Sequence, residues 1–346
     1  MQRPARVPTR HLVVAPNWIG DALMALPLLA TLKHHSPHCH ITLLAPSAVA
    51  ELLANSPLVD QVIATPWPHG GLQFWARLAL ARKLRREQFD SALVLPNSAK
   101  SALLPFLAGI TRRVGYLGES RRLLLSSWLA NTDRSISMVE RYLALAALLG
   151  APATAGQVPA ATLKVDPLDV SRIKTRLGLD PARLLVVFCP GAEYGPAKRW
   201  PPRHFARLAE LVSQTWPSVL LVLAGAKGDF EGCEEIVQAT RAPILNLAGQ
   251  TSISEVTALL AGAALVVSND SGLMHIASCL NRPLVALYGS TDPRHTPPGA
   301  ADARVLWLHT SCSPCFARVC PLGHMRCLVE ITPESVFAAI PSGALH

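Results

Sequence analysis

Short apolar runs rich in β-branched residues alternate with longer helical patterns along nearly the whole chain, and this alternation restricts the fold more than any single motif. The runs at 11–16, 41–46, 59–65 and 91–96 read as strands. Helices are expected over 20–35, 47–55 and 74–88, after Ser98, and over 138–149. Residues 151–183, rich in alanine and proline, suit a linker and an entry segment. The pattern then restarts. Strands at 184–189, 219–224, 244–247, 265–268 and 283–288 alternate with helices at 202–215, 230–239, 253–261 and 272–279. Strands that are apolar throughout belong to parallel sheets covered on both faces. A chain of 346 residues also exceeds what one compact core usually serves. The expectation is therefore an α/β protein of two Rossmann-like, doubly wound parallel-sheet domains facing a central cleft. They cover 1–160 and 161–330, and a last helix within 331–346 packs back on the first domain.

Apolar residues make up 50% of the chain and charged residues 16%, which excludes a disordered protein. The formal charge is +9. The basic residues are spread out and lack the aromatic interleaving of a single-strand binder, so an anionic small molecule or lipid surface fits better than nucleic acid. The apolar run 142–149 is too short to span a membrane and ends at Gly150-Ala151-Pro152. The stretch after Arg3, Arg6 and Arg10 contains Asn17 and Asp21 and has no clean small-residue cleavage site. Residues 1–10 read as a disordered lead, and the chain as cytoplasmic.

In open α/β sheets the working residues lie just past the carboxyl ends of the strands. The strongest such segment is Ser268-Asn269-Asp270-Ser271-Gly272, followed by Leu273 and His275. A strand ends there in polar residues and a helix begins, with Asp270 or Ser271 as its cap. The first-turn amides and the helix dipole make an anion site; an ordinary capped helix would share the pattern. The second segment runs from Pro190 through Gly191, Glu193 and Gly195 to Lys198, Arg199 and Trp200. Its lysine is a point-charge partner for phosphate, or else belongs to a solvated basic loop. The third is Asn17-Trp18-Ile19-Gly20-Asp21. Asp21 reads equally as a general base for a hydroxyl nucleophile and as a first-turn acid complementing the helix dipole. This turn is not Gly-x-Gly-x-x-Gly, which argues against a nicotinamide or flavin enzyme.

These segments, with Leu95-Pro96-Asn97-Ser98-Ala99-Lys100 and Arg282-Pro283-Leu284-Val285-Ala286-Leu287-Tyr288-Gly289, resemble the heptosyltransferases of lipopolysaccharide core synthesis, family nine of the glycosyltransferases. The resemblance covers nearly the whole chain. It implies the GT-B architecture and a metal-independent, inverting transfer with no cofactor required for catalysis. The donor it implies is ADP-L-glycero-D-manno-heptose; the acceptor is the first heptose of the lipopolysaccharide inner core. By similarity Asp21 is the catalytic base. Gly191, Glu193, Lys198, Asn269, Asp270, Ser271, Gly272, Leu273 and His275 bind the donor, with Lys198 on its diphosphate. Asn97, Ser98 and Lys100 fall at the acceptor rim. The positive charge then suits a phosphorylated acceptor and peripheral contact with an anionic inner leaflet, with Arg82, Lys83, Arg85, Arg86, Arg112, Arg113, Arg121 and Arg122 as candidate contacts. Two other readings stand beside this one: a transferase or epimerase using another nucleotide sugar, and a non-catalytic nucleotide-binding relative.

The cysteines divide into two sets. Cys39, Cys189, Cys233 and Cys279 are scattered in apolar surroundings, as reduced core cysteines are. Cys312, Cys315, Cys320 and Cys327 follow the spacing C-x2-C-x4-C-x6-C. That spacing suits a structural zinc site, with free thiols and disulfides as the alternatives. Some members of the resembling family carry the pattern and others lack it, so a catalytic role is not expected.

Overall fold

A computed structural model of the chain describes residues 10–65, 73–131, 136–153, 162–300 and 302–345. The chain divides into two compact units, 1–161 and 162–346. The lead before Arg10 lies outside the described residues.

The first unit holds a six-stranded sheet of β1 (Arg10–Val14), β2 (His40–Pro46), β3 (Gln61–Thr65), β4 (Ser91–Val94), β5 (Arg112–Tyr116) and β6 (Ser127–Leu129). The second holds β7 (Leu185–Cys189), β8 (Leu220–Leu223), β9 (Ile244–Asn246), β10 (Ala263–Asn269), β11 (Leu284–Tyr288) and β12 (Arg304–Trp307). Every strand pair is parallel. The strand orders are β3-β2-β1-β4-β5-β6 and β12-β11-β10-β7-β8-β9. Read from the first strand of each unit, these are one and the same doubly wound order.

The apolar runs explain the sheets. β4, β7 and β11 are buried at every position because helices cover both faces. In the second unit Phe188, Trp200, Phe205, Leu221 and Val267 share one core. Where the expected helix 20–35 should run unbroken, two helices form, Ile19–Met24 and Leu26–His35. Pro27 has no N–H to give to the preceding turn, so it starts a new helix instead of continuing the old one.

Three strands and two helices were not apparent in the pattern, one of these helices being the short Arg326–Val329. β5 opens on two arginines, and β6 and β12 are short or partly exposed edge strands. The entry segment contains the helix Pro167–Arg176, which buries only Ile173 and is capped by Asp166. The expected C-terminal helix forms over Pro333–Ala338. It rests on the helix Pro202–Thr215 of its own unit: Val336 is buried, the Phe337 and Trp216 rings lie 5.5 Å apart, and Trp200 donates its indole N–H to the Ile331 carbonyl. An apolar face at Ile331, Val336 and Phe337 had a nearby core to join.

Two buried histidines give the fold a pH signature. His11, paired with Ser91 across β1 and β4, and His275 are each held down to about 4, mainly by burial. Both stay neutral when folded but take up protons when unfolded. Stability should be full above pH ~6.5 and fall as pH drops toward 4, by about 3 kcal/mol per histidine at most. Urea midpoints at pH 7.5 and 4.5 check this; equal midpoints would sink it.

Candidate active site

Identical strand orders place a topological switch point in each unit, between β1 and β4 in the first and between β7 and β10 in the second. Loops at such points splay apart and leave a crevice at the carboxyl ends of the strands. All three strand-end motifs and the 97–100 segment fall on these four loops.

In the second unit β10 ends at Asn269 and the helix Gly272–Cys279 begins. Ser271 is the cap, its hydroxyl accepting from the Met274 amide. Gly272 and Leu273 occupy the first turn, whose amides have no acceptor within the helix and point along the positive end of its dipole. Asp270 does something else. Its carboxylate accepts from Lys198 Nζ and from Thr291 Oγ1, each at 2.6 Å. The lysine and aspartate side chains are 13% and 4% exposed, so the pair is nearly out of water. An ammonium carries three N–H bonds, and Asp270 takes one. Lys198 Nζ also lies 5.0 Å over the Tyr194 ring. Neutral His275 packs behind, its Nε2 4.0 Å from Asp270.

Asn269, expected at the donor, is engaged by the protein itself. It is fully buried, and its carboxamide accepts from the Trp200 amide at 3.1 Å and donates to the Pro190 carbonyl at 2.6 Å. It ties both ends of the 190–200 loop to the end of β10. Gly191 is likewise dictated by a neighbour. A Cβ there would stand 2.2 Å from the Asp229 carboxylate, which accepts from the Ala226 amide and from Arg199. Gly191→Ala should cost about 1–3 kcal/mol of stability by forcing that carboxylate aside. Adding Asp229→Ala should restore most of the loss in a denaturant titration. Glu193 is exposed.

In the first unit Asp21 sits half-buried in the first turn of Ile19–Met24. Trp18, at the cap position, is 48% exposed and offers no side-chain cap. The tyrosine hydroxyl of Tyr142 is pushed well above its usual range by burial, and the negative charge of Asp21 adds to the effect. Lys100 stands in the first turn of the helix Ala99–Leu107, and Asn97 and Ser98 lie on the loop leaving β4, held by Arg121. That arginine is 1% exposed and donates to the carbonyls of Pro96, Ser98 and Tyr116 and to Asn97 Oδ1. Ser98 Oγ and Ser101 Oγ lie 2.6 Å apart.

Arg121 therefore organises a loop and is not a surface contact. Arg112 and Arg113 are also engaged by backbone carbonyls, as is Arg85 at the end of its side chain. Arg82, Lys83, Arg86 and Arg122 remain exposed. The strand-end segments 225–229 and 289–292 contain Asp229 and Thr291, but neither side chain was singled out in the sequence. Thr291 stands just past β11, a position the strand-end rule marks but no motif names.

The residues from 77 to 326 match the model of glycosyltransferase family 9 (heptosyltransferase). The chain belongs to glycosyltransferase family 9. It is thus an enzyme of the glycosyltransferase class. The lipopolysaccharide heptosyltransferase 2 of Escherichia coli strain K12 is 40% identical over 335 residues, covering 94% of this chain and 95% of that one. The lipooligosaccharide heptosyltransferase 2 of Haemophilus influenzae is 42% identical over 308 residues, covering 86% and 88%. Among solved structures, E. coli ADP-heptose lps heptosyltransferase II superposes with a TM-score of 0.85 at 37% identity, covering 95% and 97%. The two six-stranded parallel sheets with flanking helices are those of the GT-B architecture. A family 9 structure from Veillonella parvula shares the fold, with a TM-score of 0.82 at 22% identity.

Proposed function

We propose that this member of family 9 transfers L-glycero-D-manno-heptose from its ADP derivative to the first heptose of the lipopolysaccharide inner core. The identity to heptosyltransferases 2 along nearly the full length of both chains supports this most directly. The Lys198–Asp270 pair beside a capped helix N-terminus supports the donor half.

In the reaction, Asp21 takes the proton of the acceptor hydroxyl. That oxygen forms a bond to the anomeric carbon as the bond to the β-phosphate oxygen breaks, and ADP leaves with the electron pair. Lys198 and the Gly272 and Leu273 amides face the charge that develops on the leaving diphosphate. Thr291 holds the Asp270 carboxylate, and so sets the lysine. In this reading the charge is met by the chain itself and no cofactor takes part in the transfer. Asn97, Ser98 and Lys100 receive the acceptor.

No helix among the described residues is long and apolar enough to cross a membrane. The enzyme works in the cytoplasm and meets its acceptor at the inner leaflet. The exposed Trp75, Arg82, Lys83 and Arg86 on the helix Phe74–Arg86 suit a peripheral contact with anionic lipid. The deciding experiment incubates the enzyme with ADP-heptose and a core acceptor carrying one heptose, then weighs the product. A mass increase of one heptose is expected. Transfer from UDP sugars in place of ADP-heptose, or no transfer from either, overturns the proposal.

A further inference from the structure

Four cysteines of the second unit border one small cavity of about 20 Å³, together with Ala197 and Ser290. They are Cys312, Cys315, Cys320 and Cys327, and none is in a disulfide. They differ from Cys39, Cys189, Cys233 and Cys279, which are buried in the cores, whereas Cys315 is exposed and the other three are partly so.

Two observations point to a ligand at this cavity. The Ser290 hydroxyl on the cavity wall is 1% exposed and has no hydrogen-bond partner among the described residues. The segment also has little core of its own: Phe316, Val319 and Leu322 are 47%, 67% and 60% exposed. Short segments that cannot bury apolar surface are commonly held by a metal or disulfides.

We propose that Cys312, Cys315, Cys320 and Cys327 bind one thiolate-preferring divalent cation, zinc or iron, in a tetrahedral site, and that this metal braces the donor loop. Four sulfurs at this spacing select those two metals. His324 is exposed, and its Nδ1 accepts from the Arg326 amide, which leaves the four thiols as the ligand set. Among the described residues no three such side chains already stand in ligand geometry. Rotation of a cysteine about χ1 carries its sulfur by roughly 3 Å between staggered wells, enough to close a site around so small a cavity. Ser290 then has a thiolate to donate to.

The brace follows from where the segment is tied. The carbonyls of Phe316 and Arg318 accept from Tyr194 Oη at 2.6 Å and from the Ala197 amide at 3.0 Å. Phe316 donates its amide to the Ser290 carbonyl and Ser313 its hydroxyl to the Gly289 carbonyl. Gly195 has φ +150° and packs so closely that a Cβ would stand 2.5 Å from the Arg318 carbonyl oxygen. The cysteine segment thus holds the loop carrying Lys198 and the loop carrying Thr291. That second half of the inference rests on the proposed donor site; the metal itself does not.

The test begins with elemental analysis of the full-length protein purified under reducing conditions without chelator. One zinc or iron per chain is expected, and iron would also colour the protein. Cys315→Ser and Cys320→Ser should each lower the content below about a tenth, while Cys279→Ser keeps it. Should the variants not fold, titration of the wild-type protein with Co²⁺ after chelation is decisive, because tetrahedral thiolate cobalt has strong visible bands. Native protein without metal, with all four thiols open to Ellman's reagent and no thiolate–cobalt band, overturns the site. If the metal is present, its removal should raise the ADP dissociation constant about tenfold, or about 1.4 kcal/mol. Unchanged ADP affinity on metal removal overturns the brace and leaves the metal.

Discussion

Replacing Asp21 by Asn should lower kcat by about 10²–10⁴, the range associated with loss of a positioned general base. Donor binding and stability should change little. The residue has two readings from its place in the first turn of Ile19–Met24. A first-turn carboxylate that merely complements the helix dipole contributes about 0.3–1 kcal/mol of stability and nothing to turnover. A base contributes to the transition state, where a thousandfold rate change is about 4 kcal/mol. The two effects are far apart, so one variant separates them. Asn keeps the size and removes the basicity. Steady-state kcat with a thermal melt on the same sample is the measurement. A variant with wild-type kcat and a slightly lower melting temperature would leave Asp21 as a helix acid and send the search for a base elsewhere in the first unit.

The second large effect belongs to Lys198. Lys198→Met should cost about 3–5 kcal/mol of stability, because among the described residues it leaves the buried Asp270 carboxylate hydrogen-bonded to the Thr291 hydroxyl alone. It should also lower kcat/KM by removing a positive charge from the leaving group. The double variant Lys198→Met with Asp270→Asn discriminates between the two losses. It removes the stranded charge, so the urea midpoint should return most of the way. Turnover should stay low, because the cation is still missing. A midpoint loss below about 1 kcal/mol in the single variant would mean that water reaches Asp270 freely. Full activity in the double variant would remove Lys198 from the chemistry altogether.

Much of the architecture was legible because parallel strands covered on both faces must be apolar throughout. β1, β2, β4, β7, β8, β10 and β11 announced themselves in this way. β5, β6 and β12 did not, since Arg112-Arg113 and the exposed edge positions break the apolar signal while hydrogen bonding to a neighbour still makes a strand. The strand-end rule marked the loops on which these side chains stand. It could not say what each side chain there does. Asn269 looked like a ligand contact because polar residues at strand ends usually are, yet its carboxamide closes on two backbone groups 69 and 79 positions away in the chain. Arg121 looked like a surface charge, and Thr291 like nothing in particular. Such partnerships depend on which distant backbone atoms arrive nearby, and residue type at a given spacing does not encode them. The tail is a related case: its apolar face was readable, but not its seat on the helix Pro202–Thr215.

The repeated strand order has a consequence for how such an enzyme can change. Each unit carries its own switch point, and each switch point draws its loops from its own half of the chain. In the proposed reading, nucleotide recognition and acceptor recognition are therefore written on separate stretches of sequence. A substitution in the loops after β1 or β4 leaves the hydrogen bonds among Lys198, Asp270 and Thr291 untouched. Selection for a new acceptor can then act on the first half alone, and enzymes of this design are free to diversify in what they modify while keeping one activated sugar.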